Sequence, residues 1–147
     1  MSAPATVTGG CHCGNLSLAF ETSRALAELP VRSCACAFCT AHGARTTTDP
    51  NGRARITVRD SDRLSRYRFS MGITEFLVCR DCGVYVAAVM TEGDAAYATL
   101  NVNVFSGDKP GLQTASSVSY DAETEAERRA RRRANWTPTV VVTGDGT

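Results

Sequence analysis

The seven cysteines of this chain fall into two doublets and one triplet, and this grouping constrains the fold more than any other feature. The doublets are Cys11-x-Cys13 and Cys79-x-x-Cys82, and the triplet is Cys34-x-Cys36-x-x-Cys39. Such spacings are typical of metal ligands, and a structural zinc takes four ligands, commonly from two short motifs. The doublets therefore predict one closed zinc site. The triplet predicts a second zinc whose fourth position stays open for water or a substrate atom, as in catalytic sites.

Two other uses of these cysteines are alternatives to metal binding. Secreted disulfides are disfavoured because the number of cysteines is odd and no signal-peptide pattern occurs in residues 1–10. Bridges within a motif would also close very small loops. A redox role for Cys79 and Cys82 is the other alternative, but such motifs usually open a helix, whereas Gly83 and the β-rich residues 84–86 follow here.

Size and composition fit one domain with its own core, since the chain has 147 residues of which 43% are hydrophobic. The longest apolar run, residues 84–90, is too short to span a bilayer, so we expect a cytoplasmic protein with no membrane partner. A formal charge of +1 gives no overall field that attracts nucleic acid, which makes a nucleic-acid partner unlikely on this ground. A homo-oligomer is left open.

Alternating apolar residues predict a mostly β fold. The alternation covers residues 16–20, 56–58, 67–69 and 76–78, and β-rich stretches recur at 84–90 and 97–104. Turn sequences rich in Gly, Asp, Asn and Pro separate them, at residues 49–52, 71–72, 92–94 and 106–107. We therefore predict a single domain of short antiparallel sheets around the zinc sites, with a helical turn or two within residues 23–29.

The predicted domain has distinct ends. Residues 1–8 are expected to be flexible, residues 9–120 to form the zinc-binding β domain, and residues 121–147 to form a C-terminal helix and tail. Residues 121–133 place acids first and arginines last, which suits a helix dipole and predicts a surface helix with a solvated face. After it, Trp136 and residues 140–142 are expected to pack against the domain or a partner chain, and residues 143–147 to fray.

Three motifs together resemble a known family: GGCHCG from Gly9, CACAFC from Cys34 with Gly43-Ala44 behind it, and CRDCG from Cys79. In order and spacing they are similar to the glutathione-dependent formaldehyde-activating enzyme family, which includes centromere protein V, over residues 9–104. The resemblance implies a β-tent-like fold with two zinc ions per chain. It implies a structural zinc on Cys11, Cys13, Cys79 and Cys82, and a catalytic zinc on Cys34, Cys36 and Cys39.

The resemblance also implies a carbon-sulfur lyase that joins formaldehyde to glutathione, giving S-hydroxymethylglutathione. The ligands themselves favour related chemistry, because an open zinc with three thiolates can hold a fourth thiol as a thiolate nucleophile. Three thiolates also make the zinc a weaker Lewis acid, which favours thiol transfer to an aldehyde over water activation. We therefore expect a zinc-dependent enzyme acting on a glutathione-like thiol and a small aldehyde or related electrophile.

Cys36 and His42 are the candidate catalytic residues. Cys36 lies between the outer ligands of the triplet and is the one expected to leave the metal, while His42, close behind Cys39, is a candidate proton carrier. His12 lies between two ligands on an extended chain, where its side chain is expected to face away from the metal. Two alternatives remain open: a structural zinc module that binds protein or nucleic acid without catalysis, and a metal enzyme of unrelated reaction.

Overall fold

A computed structural model describes residues 5–106 and 112–144 of the chain. The strands are β1 (Ala5–Gly10), β2 (Leu16–Thr22), β3 (Val31–Cys34), β4 (Thr46–Thr47), β5 (Arg53–Val58), β6 (Leu64–Tyr67), β7 (Glu75–Cys79), β8 (Tyr85–Glu92), β9 (Ala95–Asn101), β10 (Ser116–Val118) and β11 (Thr137–Thr143). The helices are α1 (Ala37–His42) and α2 (Glu125–Asn135). Short 3-10 turns occur at Leu26–Glu28, Ser61–Arg63 and Val102–Val104. The prediction of a mostly β fold with a C-terminal helix is confirmed.

One mixed sheet connects the described strands, and β11 joins its two halves. In the first half β1, β2 and β5 pair antiparallel, and residues 139–143 of β11 then run parallel to β5. The first residues of β11, Thr137 and Pro138, pair with β9 in the second half. There β9 also pairs with β8 and β4, and β10 runs parallel to β3. The expected antiparallel pairing is found for the other described strand pairs, whereas β5 with β11 and β3 with β10 pair parallel.

The main core lies on the inward faces of these strands. In β2 the buried residues Leu16, Leu18 and Phe20 alternate with more exposed ones, because side chains along a strand point to opposite faces in turn. Ala54, Ile56 and Val58 repeat the pattern on β5. The alternation that predicted these two strands thus marks the side that packs on the core.

A β-bulge in β8 places side chains on the opposite face of the second half. Val78 is the partner of Tyr85, whereas Leu77 is the partner of Ala87, so Val86 is an extra residue on β8. Val86 and Ala87 both pack in the main core, while Tyr85 and Ala88 join a second cluster with Cys39 and Trp136. The bulge therefore lets β8 contribute Tyr85 and Ala88 to the same face although they are three residues apart.

The chain ends differ from the expectations for them. Residues 5–8, expected to be flexible, form most of β1, and Thr143, expected to fray, is the last residue of β11. Residues 1–4 and 145–147, and Gly107 of a predicted turn, lie outside the described residues. Trp136 is 6% exposed and packs on the domain as expected. The segment 140–142 belongs to β11, where Val141 packs against the main core but Val140 is 58% exposed.

The helical segments also depart from their predicted bounds. The expected turn within residues 23–29 is the 3-10 turn Leu26–Glu28. α2 begins at Glu125 and not at residue 121, because Thr124 and Glu127 form a reciprocal capping box at its start. No helix in residues 5–106 or 112–144 is both long and apolar enough to cross a bilayer.

A buried carboxylate fixes the turn between β4 and β5. Asp49 is fully buried, and its oxygens accept hydrogen bonds from the Thr22 hydroxyl at 2.7 Å, from the Ser23 amide at 2.7 Å and hydroxyl at 2.8 Å, and from the Asn51 amide at 2.9 Å. Burial raises the pKa of Asp49, but these hydrogen bonds outweigh it and lower the pKa below its ordinary value. The ionised carboxylate therefore ties the end of β2 to the turn before β5.

We expect Asp49→Asn to lower the free energy of unfolding by about 1–3 kcal/mol at neutral pH, because the amide NH₂ cannot accept these bonds. The folded pKa is depressed, so the stabilisation is present above the unfolded pKa of about 3.9 and is lost as the pH falls toward the folded pKa. Urea unfolding should show that Asp49→Asn has a lower free energy of unfolding at pH 7 than the exposed turn variant Asp94→Asn. This difference in the free energy of unfolding should decrease below about pH 4. Equal stability of the two variants at pH 7 would contradict this assignment.

Candidate metal centres

The two cysteine doublets converge into one group of four thiols. Cys11 and Cys13 lie at the turn between β1 and β2, while Cys79 ends β7 and Cys82 lies in the turn before β8. The four sulfur atoms lie within 4.8 Å of one another. The Cys11 and Cys13 sulfurs are 3.8 Å apart, and those of Cys13 and Cys79 are 3.5 Å apart. Tetrahedral zinc with bonds of about 2.3 Å would hold its sulfurs about 3.8 Å apart, so this group could hold a metal ion.

Backbone groups around this four-cysteine site support thiolates. The Leu16 amide donates to the Cys11 sulfur at 3.2 Å, and Gly83, with φ of 78°, closes the turn that follows Cys79. Burial raises the pKa of the Cys82 thiol, but hydrogen bonds from the backbone N–H groups of Cys13 and Val84 outweigh it and lower the pKa to about 6. Cys79 is fully buried, Cys11 is 8% exposed, Cys82 is half-buried and Cys13 is exposed. A site with four protein ligands suits a structural metal.

The cysteine triplet forms a separate group at the start of α1. Cys34 ends β3, Cys36 precedes the first residue of α1, and Cys39 lies within the helix. The Cys36 sulfur accepts a hydrogen bond from the Cys39 amide at 3.4 Å, and Gly43 ends α1 in the left-handed conformation. The three sulfurs lie within 4.8 Å of one another, so they too could hold a metal ion. Three ligands leave a tetrahedral ion one position for another molecule.

The three thiols of the triplet compete for protons. A hydrogen bond from the Cys39 thiol lowers the pKa of Cys34 to about 5, and the same contact raises the pKa of Cys39. The group therefore gives up its first proton readily, and the remaining protons are the ones that a metal would displace on binding.

The triplet opens onto a cavity of about 160 Å³, and the ligands of the four-cysteine site are not among its lining residues. This is roughly ten times the 10–15 Å³ that one water needs, so a small organic molecule fits. Apolar and aromatic side chains form much of the wall, including Phe69, Ile73, Phe76, Tyr85 and Trp136. The charged residues of the wall are Arg32, Asp121, Arg128, Arg131 and Arg132.

Aromatic packing fixes the triplet against β8. The Phe38 ring of α1 lies 4.7 Å from the Phe76 ring and 5.0 Å, edge to face, from the Tyr85 ring. Tyr85 is 2% exposed, and burial first, then the nearby cysteines, raises the pKa of its phenol well above the ordinary value. Its phenol therefore stays neutral at physiological pH.

The two candidate catalytic residues lie in different positions relative to the cavity. Cys36 lines the cavity and is half-buried. His42 is exposed and is not a lining residue, although its ring lies 4.5 Å from Phe38 and 5.6 Å from Tyr85. His12 is exposed between Cys11 and Cys13. The catalytic roles of Cys36 and His42 stay predictions.

Sequence reasoning missed the arginines of the cavity. Arg128, Arg131 and Arg132 lie on α2, which was expected to have only a solvated face, and Arg32 lies on β3. The available indication was the spacing of Arg132 and Trp136, four residues apart, which places them on one side of a helix end.

We expect purified protein to contain about two zinc ions per chain, bound by sulfur at about 2.3 Å. Cys82→Ala should abolish cooperative folding, because a structural zinc supplies folding free energy, whereas Cys36→Ala should fold and hold its second zinc weakly. Metal analysis and circular dichroism of the two variants measure both effects. Normal folding of Cys82→Ala would contradict the structural role of its site.

Comparison with known proteins identifies a similar solved structure. It is a crystal structure of a Rhodobacter sphaeroides protein from a structural-genomics programme, 28% identical to this chain. The match covers 76% of this chain and 99% of that chain, with a TM-score of 0.57. No family model and no curated protein matches the chain. The mostly β fold, with two cysteine groups that could bind metal, thus has a structural relative.

Proposed function

We propose that this protein is a zinc-dependent enzyme of the carbon-sulfur lyase type, which joins a low-molecular-weight thiol to a small aldehyde or related electrophile. The observation that carries the proposal is a group of three cysteines at the wall of a cavity large enough for a small molecule. The resemblance of residues 9–104 to the glutathione-dependent formaldehyde-activating family supports the same class of reaction.

Zinc on Cys34, Cys36 and Cys39 would supply a position where the substrate thiol is held as a thiolate. The substrate sulfur then donates an electron pair to the aldehyde carbon and forms the C–S bond. The electron pair of the C=O double bond moves to the oxygen, which takes up one proton and becomes a hydroxyl group. The proton released by the thiol balances the one taken up, so no oxidant or reductant is needed.

The cavity wall favours this addition over hydrolysis. Phe69, Ile73 and Phe76 give the cavity wall apolar surface, and charge interactions are stronger beside apolar surface than in bulk water. Tyr85 also lines the cavity with a neutral phenol, whose O–H can donate a hydrogen bond to the product oxygen. His42 does not line the cavity, so on this geometry Tyr85 is the better placed of the two.

The alternative is a zinc module that binds nucleic acid through the arginines of α2. Four of these arginines are engaged within the chain: Arg129 and Arg133 pair with Glu92, and Arg128 and Arg131 pair with Glu123. Phosphate binding would compete with these ion pairs. The engaged arginines and the open cavity together favour an enzyme over a binding module.

The reaction can be tested by NMR. The sample contains ¹³C-formaldehyde and a thiol, with or without zinc-loaded protein. We expect the protein to increase the rate of exchange between free formaldehyde and the hydroxymethyl thioether above the rate in buffer. Cys36→Ala should lower the catalysed rate by more than about 100-fold, since changes of groups that merely orient metal ligands already cost 10–100-fold. Metal-depleted protein, before and after zinc is restored, is the control. Full activity of Cys36→Ala would show that the triplet is not catalytic.

Thiol binding can be tested separately from turnover. Adding a substrate thiol to cobalt-substituted protein should change the visible spectrum through a fourth sulfur ligand. The S-methylated form of the same thiol has no ionisable sulfur and should cause little change. Equal responses to the two compounds would rule out thiolate binding at this site.

A further inference from the structure

The second part of β11 has a neighbouring strand on one side only. Its residues 139–143 pair with β5. Pairing with β9 ends where Pro138 lies opposite Tyr97, and no other strand in residues 5–106 or 112–144 pairs with β11 beyond that point. β9 and β11 therefore diverge after Pro138 and leave a fork in the sheet.

The register shows which backbone groups of β11 face this fork. The amide of Gly144, directly after β11, donates to the Val58 carbonyl of β5 at 2.7 Å. Because the backbone groups of successive strand residues point to opposite sides, the even-numbered residues of β11 bond with β5 in the same way. The N–H and C=O groups of Thr139, Val141 and Thr143 therefore face the fork, and they have no hydrogen-bond partner among the described residues.

A cavity of about 290 Å³ lies at the fork. Thr139 and Val141 line it from β11, and Ala96, the residue that would continue the pairing on β9, lines it from the other side. Leu77 and Val89 of the main core give it an apolar floor. Its volume is roughly twenty times the 10–15 Å³ that one water needs, so the unpaired backbone groups face an open space.

The edge of β11 lacks the features that usually prevent a strand edge from pairing. Natural proteins protect such edges with charged side chains, proline or a bulge. Residues 139–143 are Thr, Val, Val, Val and Thr, and their pairing with β5 has a regular register. An uncharged edge of β-branched residues can receive another strand through its backbone.

The charges at the cavity indicate which kind of strand fits. Glu75 is neutralised within the chain, since Arg66 and Arg68 each contact it at 3.5 Å. Asp94 also lines the cavity, is exposed and forms no ion pair with the described residues. A basic side chain on an incoming strand would complement Asp94, and small apolar side chains would suit the floor of the cavity.

We propose that the edge of β11 binds an extended peptide of another protein, which adds to the sheet as a strand. Its backbone bonds with Thr139, Val141 and Thr143, its small apolar side chains enter the cavity, and a basic side chain contacts Asp94. This binding site is independent of the proposed reaction, because the two cavities share no lining residue.

Amide hydrogen exchange of the free protein, measured by NMR, tests whether the edge is open. The amides of Val140 and Val142 bond with β5 and should exchange slowly. Those of Val141 and Thr143 should exchange at least about 10-fold faster, because they lack a hydrogen bond within the chain.

Binding can be measured with the peptide acetyl-Lys-Val-Thr-Val-Thr-Val-amide, which has one basic side chain and alternates small apolar with polar residues. At saturation it should slow exchange of the Val141 and Thr143 amides about 10-fold or more and leave Val140 and Val142 unchanged. The same peptide with N-methyl groups on its backbone amides is the matched control, since it keeps the side chains but cannot form the ladder. It should cause no protection.

Two variants test the backbone and the charge separately. Val141→Pro removes an N–H that faces the fork and leaves the bonds with β5, so it should weaken binding of the lysine peptide about 10-fold. Asp94→Asn should weaken it about 2- to 5-fold, as expected for an exposed ion pair. Glu21→Gln is the control for charge, because Glu21 is an exposed acid that does not line the cavity. It should bind as the wild type does.

Four results would overturn the inference. Equal protection of the amides from Val140 to Thr143 in the free protein would show that the edge is already covered. Protection of Val141 and Thr143 that is lost on dilution would show that a second copy of the chain covers it. Equal binding of the N-methylated peptide would exclude strand addition, and so would failure of the lysine peptide to bind at millimolar concentration. The N-methylated control needs no variant, so the test holds even if Val141→Pro folds poorly.

Discussion

The fold depends on the meeting of two distant hairpins at the four-cysteine site, where a metal ion could cross-link them. Cys13 and Cys79 are 66 residues apart in sequence, and their sulfurs are 3.5 Å apart. Closing so long a loop has an entropic cost, which metal–thiolate bonds can offset, since a structural zinc contributes about 10–16 kcal/mol in small domains. A metal ion there would fasten the β1–β2 turn of one half of the sheet to the β7–β8 turn of the other.

The cavity beside the triplet depends on this arrangement. Cys79 and Cys82 set where β8 begins, and the bulge at Val86 then turns Tyr85 and Ala88 toward the triplet. The remaining wall comes from α2, whose residues Arg132 and Trp136 lie against this second cluster. The four-cysteine site therefore joins the two halves of the sheet, and the triplet has a cavity because three separate parts of the chain meet beside it.

Features that depend on a local sequence pattern could be predicted from the sequence, whereas features that depend on contacts between distant parts of the chain could not. The ligand groups were predictable because cysteine spacing is a local pattern, and β2 and β5 because Leu16 and Ile56 belong to clear alternations. β11 was not predicted as a strand, since its pairing with both β5 and β9 depends on the twist and position of distant strands. The charge pattern of α2 predicted a helix, but which arginines face the cavity is decided by how the helix packs.

The central claim is that the cysteine triplet holds zinc with one position open to a substrate thiol. X-ray absorption spectroscopy at the zinc edge measures this directly, because four ligands at one site and three at the other give an average of about 3.5 sulfurs per zinc. Saturating 3-mercaptopropionate should raise the average to about 4 sulfurs per zinc. The oxygen ligand at the open position of the triplet site should be lost at the same time. An average of about 4 before the thiol is added, or no change after it, would contradict the account.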